Sequence, residues 1–152
     1  MSSLRVELNK MMDTKVDWDH LVGALRDELQ EKGGLVGLLN RQTETLYRRD
    51  TAENERLEEQ IRTQLELMLL STQGRNHAVR QTASAFHLNE DVQSNEVIRS
   101  FPDFVHPLLE ALFSEVERLS NRVEERLKQN QGLKERFLFE TPSAVDFSLM
   151  HN

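Results

Sequence analysis

Cysteine is absent from this chain, so disulfides and thiolate metal sites are excluded, and a reducing, cytoplasmic setting is expected. Only three prolines and six glycines punctuate 152 residues, which leaves room for long uninterrupted helices. The uncharged run from Leu67 to Gly74 falls far short of the roughly 20 apolar residues of a membrane helix, so no membrane insertion is expected. Residues Met1 to Lys10 alternate Leu4, Val6 and Leu8 with polar side chains and lack the apolar core of an export signal. Basic residues are in deficit: 19 against 26 acidic ones, a net charge of -7. With no dense basic patch beyond Arg48 and Arg49, a phosphate backbone is a poor partner and nucleic acid is not expected. Hydrophobic residues at 38% and charged ones at 30% suit one elongated helical domain better than a compact α/β enzyme.

Recognisable reagents are also missing. His20, His77, His87, His106 and His151 are scattered, and no Glu-x-x-His pair occurs, so no metal site is read. Gly33-Gly34-Leu35-Val36-Gly37 lacks the lysine and the preceding strand of a phosphate-binding loop. The carboxylates fall into helical pairs four apart, such as Glu124 with Lys128 and Glu58 with Arg62, as on any solvated helix face. These absences point to an interaction protein, not an enzyme, with no cofactor.

What the chain does have is periodicity. Val105, Leu109, Leu112, Val116, Leu119, Val123, Arg126, Asn130, Leu133 and Phe137 alternate steps of four and three, a heptad seam with charges on its flanks. One striped helix cannot bury its own stripe, so it needs partners. A second seam runs through Trp18, Val22, Leu25, Leu29, Val36, Leu39 and Leu46, with Lys32 and Thr43 filling two positions. It keeps phase across Gly33, Gly34 and Gly37, which favours a continuous helix, with the glycines serving close approach of a neighbour, over the alternative of a helix break at Gly33-Gly34. Asp50 reads as the cap of the next helix, whose apolar positions are Leu57, Ile61, Leu65, Met68, Leu69, Val79, Ala83 and Phe86. Its polar centre, Ser71 to His77 with Gly74, is a candidate bend. Residues 87 to 103 form a connector whose Val97, Ile98 and Phe101 should pack down, and Pro142 ends the pattern. Trp18 is read as an anchor between helices, and Asn130 as an amide that either fixes register or is solvated. The expected fold is all-α: an elongated antiparallel bundle of three long helices, near 16 to 48, 51 to 86 and 104 to 139. A flexible segment is expected at 1 to 15, the bundle domain at 16 to 140, and a flexible tail at 141 to 152.

This order of parts resembles the FlgN family of flagellar export chaperones. The resemblance rests on Leu46-Tyr47-Arg48-Arg49-Asp50, the restart Glu55-Arg56-Leu57-Glu58-Glu59-Gln60-Ile61, the Asn95-Glu96-Val97-Ile98 turn, and Leu127-Lys128-Gln129-Asn130-Gln131-Gly132-Leu133 near the end of the third helix. It implies a cytoplasmic type III export chaperone that binds the C-terminal helical segments of hook-associated proteins and keeps them unassembled. The family docks on the export apparatus through a tyrosine region near its C-terminus. Tyr47 is the only tyrosine here, so that partner is implied without a docking residue. The end of the third helix carries more apolar surface than two neighbours need. A client groove is therefore read at Leu119, Val123, Leu127, Asn130, Leu133, Phe137 and Phe139, with Leu138 beside them. Val145, Phe147, Leu149 and Met150 of the tail are candidates to cover it. Two alternatives stay open: a wider intramolecular core, and a structural coiled-coil subunit that self-associates, so monomer and homodimer are both allowed.

Overall fold

In the computed structural model the described backbone spans residues 2–140, and side chains are described for 18–137 and Leu4. Four α-helices follow in order: α1, Ser2–Tyr47; α2, Thr51–Ala85; α3, Ser94–Arg99; and α4, His106–Glu140, preceded by a 3₁₀ turn at Asp103–Val105. No strand occurs among the described residues. The all-α bundle expected from the seams is therefore the observed fold. The third long helix ends within a residue of expectation, whereas α1 starts at Ser2 instead of 16. Residues 141 to 152, expected to form a flexible tail, lie outside the described residues.

The turn between α1 and α2 is built by capping. Asp50 Oδ1 accepts the N–H of Glu53 at 3.1 Å, as its place before an acid-bearing first turn predicts. Upstream, Asp50 N–H donates to Thr45 O and Arg49 N–H to Leu46 O, with Arg49 at φ 57°. Helix α2 ends the same way: Leu88 N–H donates to Ala83 O at 2.8 Å around His87 at φ 60°. Both exits use the left-handed position that glycine ordinarily fills, here occupied by side-chain-bearing residues. Pro107 falls in the first turn of α4, where a missing N–H costs nothing.

Two compact units make up the chain. The first comprises residues 1–31 and 67–118. Its core joins Leu21, Val22 and Leu25 of α1, Ala78 and Ala83 of α2, and Val105, Leu109 and Val116, with Val97, Ile98 and Phe101 of the connector packed in as the sequence predicts. Phe101 meets Phe86 edge-on at 4.9 Å, and the His106 ring hydrogen-bonds to Phe101 O at 2.7 Å. Trp18 is half-buried with its ring edge-on to Phe104 at 5.7 Å. The most buried charge lies here too. Glu28 is 0% exposed, yet Arg75 donates to both its oxygens at 2.7 and 3.2 Å and Thr72 donates at 3.0 Å. Pairing at α1–α2 contacts runs in opposite directions, His20 with Gln81 and Glu28 with Arg75, as an antiparallel pair requires.

The second unit comprises, among the described residues, 32–66 and 119–140. Here α1 and α4 run parallel: Lys32 Nζ donates to Ser120 at 2.5 Å and Thr43 to Asn130 at 2.7 Å. Against expectation, the glycines of α1 do not mark close approach. A Cβ on Gly33 or Gly37 would meet nothing within 4 Å, and only Gly34 abuts a neighbour, the flexible end of Gln64. Continuity of α1 across them is as predicted, because packing on the opposite side, through Leu35 and Leu39, outweighs about 1 kcal/mol of lost propensity per glycine. Helix α2 likewise runs unbroken through Gly74. The expected Glu58–Arg62 pair is replaced: Arg62 bonds Glu59 at 2.6 Å, while Glu58 reaches Lys134 of α4 at 3.3 Å. Glu124 and Lys128 form no ion pair among the described residues.

Candidate functional site

Within the second unit a polar chain crosses three helices. Lys134 pairs with Glu58, whose Oε1 also accepts from Asn54 Nδ2 at 3.3 Å. Asn54 Oδ1 accepts from Gln42 Nε2 at 3.1 Å, and Gln42 Oε1 accepts from Asn130 Nδ2 at 2.9 Å. Asn130 Nδ2 also donates to Leu39 O at 2.9 Å, and its Oδ1 accepts from the Thr43 hydroxyl. Both amide hydrogens and the carbonyl of Asn130 are thus used while the residue is 1% exposed. Of the two readings of this amide, fixing register is the one its surroundings match, since a solvated position would leave it open to water.

Beside this chain lies a surface groove of about 480 Å³, lined by Ile61, Arg62, Leu65, Leu127, Lys128 and Lys134 with Gln42, Glu58, Asn130 and Gln131. Ile61, Leu65 and Leu127 supply an apolar side, and Arg62, Lys128 and Lys134 a basic one. Leu127, 36% exposed, stands out of the core as its place beside the seam predicts. The remaining residues read as a groove are distributed differently. Val123, Asn130 and Leu133 are buried in the unit's own core, and Leu119 and Phe137 are half-buried. As packed here, those three face other helices and offer little surface. Phe137 stacks edge-on with Tyr47 at 5.7 Å under the Arg49 guanidinium at 4.8 Å. The side chains of Leu138 and Phe139 lie outside the described residues. Arg62, Leu65 and Ile61, contributed by α2, were not singled out by a reading centred on the third helix.

The first unit holds another concavity, about 770 Å³, lined by His20, His77, Arg80, Gln81, Ser84, Ala85 and Glu90. It brings together two histidines 57 positions apart in the chain, numbers 20 and 77. Among the described residues no group of three His, Cys, Asp or Glu side chains could hold a metal ion. The resolved pKa shifts belong to exposed surface pairs: the Arg118 guanidinium lowers the Glu115 carboxyl, and Glu53 raises Arg56. No helix among the described residues is long and apolar enough to cross a membrane. No family model, curated protein or solved structure matches the chain.

Proposed function

We propose that the protein is a helix-binding chaperone of the flagellar type III export class, taking up the C-terminal helical segments of hook-associated proteins in the cytoplasm. The observation that carries this reading is the groove at Leu127. It is a strip of Ile61, Leu65 and Leu127 bordered by Lys128 and by Arg62 and Lys134, which pair with Glu59 and Glu58, the complement of the apolar face of an amphipathic helix. Such a segment stays unassembled while its apolar face is covered, which asks for surface and no reagent. The resemblance of helix order in the sequence supports the same class.

The test is titration of a C-terminal fragment of a hook-associated protein against the protein and against Leu127→Asp, followed by calorimetry. Leu127 is already 36% exposed, so the substitution should leave helicity and melting nearly unchanged while binding falls at least tenfold, about 1.4 kcal/mol. Undiminished binding by Leu127→Asp, or no binding by the unaltered protein, rejects the groove.

A further inference from the structure

We propose that the outward face of α2 is a self-complementary seam through which two copies of this chain pair antiparallel. Leu67, Leu70, Gly74 and His77 repeat at steps of three, four and three on this helix, and all four are exposed, the leucines at 44% and 63%. Leu70 lies about 200° round the helix from half-buried Met68, so its side chain points away from the intramolecular core, while exposed His77 borders the concavity it shares with His20. Paired with a copy about a two-fold axis at the level of residue 72, each Leu70 faces the partner's Gly74, and each Leu67 faces the partner's His77. A Cβ on Gly74 would meet nothing within 4 Å, so its surface is open to a leucine of the other copy.

The charges fit the same axis. Glu66, Gln73 and Arg80 flank the seam seven residues apart, and the two-fold sets Glu66 against the partner's Arg80, twice, with Gln73 against its own copy. Glu66 and Arg80 are exposed and form no ion pair among the described residues. Large opposite small and acid opposite base, generated by one helix under one operator, select a second copy over an unrelated helix.

Sedimentation equilibrium across micromolar to millimolar concentration should show the mass rising from 17.7 kDa toward its double. Because the chain has no cysteine, single replacements report the geometry: Gln73→Cys should oxidise to a covalent dimer, whereas Ser84→Cys, about 36 Å from its symmetry mate, should not. Gly74→Lys should abolish pairing with helicity kept. Glu66→Arg should weaken it roughly tenfold or more through facing arginines, and adding Arg80→Glu should restore it. A monomer at every concentration, a dimer indifferent to Gly74→Lys, or equal cross-linking at 73 and 84 overturns the proposal.

Discussion

Replacing Asn130 by alanine is the sharpest probe of the second unit. The side chain makes three hydrogen bonds at 2.7 to 2.9 Å from a site 1% exposed. Not all three partners are stranded by its loss. Thr43 has one hydroxyl hydrogen and a second acceptor within reach, Leu39 O at 3.0 Å, so it can redirect there and also relieve that carbonyl. Gln42 Oε1 has no such option, because its amide nitrogen is already turned to Asn54. The cost is therefore one buried orphan acceptor, about 1–3 kcal/mol, plus a small cavity and the net worth of the bonds themselves, in all about 2–4 kcal/mol. For a chain of this size that is a fall in melting temperature of roughly 5–15 °C. Thermal and urea unfolding followed by circular dichroism measure it. Removing the partners that would be stranded as well, in Gln42→Leu, Asn54→Leu, Asn130→Leu together with Thr43 turned to Leu39 O, should return close to the starting stability, because Asn54 Oδ1 would otherwise lose its donor Gln42. A loss below about 0.5 kcal/mol for Asn130→Ala, or a triple variant worse than the single, refutes this account of the layer.

Arg75→Met takes the paired guanidinium away from the buried Glu28 carboxylate and should cost about 3–5 kcal/mol, whereas Arg75→Met with Glu28→Leu should recover most of it. Gly33→Ala and Gly37→Ala, with open space at each Cβ, should each raise stability by about 1 kcal/mol, read from urea midpoints; Gly34→Ala should gain less, since its Cβ would lie 3.1 Å from Gln64 Nε2. His87→Gly should stabilise by about 1 kcal/mol by relieving the left-handed exit of α2, and a loss of stability there would show that the histidine ring contributes more than its backbone costs.

The third long helix was the most legible part of the chain. All ten positions of its seam are buried or half-buried, including the polar Arg126 and Asn130, because a strict four-three spacing leaves one side for the core whatever residue stands there. The first helix was half legible. Its seam is buried or half-buried throughout, but Leu21, Glu28, Leu35 and Gln42 form an adjoining line at intervals of seven that is buried as well. A helix flanked by two others needs this wider stripe, and Leu21 and Leu35 were its visible signal. Glu28 and Gln42 disguised the line, since a glutamate looks like surface until Arg75 is found beside it.

Helix α2 was the least legible. From Leu65 to Leu70 apolar residues lie all round the helix, so periodicity could not choose which of them faces inward, and Leu69, read as a seam residue, is 55% exposed. The same ambiguity hid Ile61 and Leu65 as groove residues, because they serve the core stripe and the groove from one side of the helix. It also bears on function. A helix that is apolar on its inward stripe gains by burying it; one that is apolar on the far side as well gains nothing from the fold for Leu67 and Leu70. Those two leucines therefore carry information that intramolecular packing does not use, and their spacing with Gly74 and His77 is where that information is written.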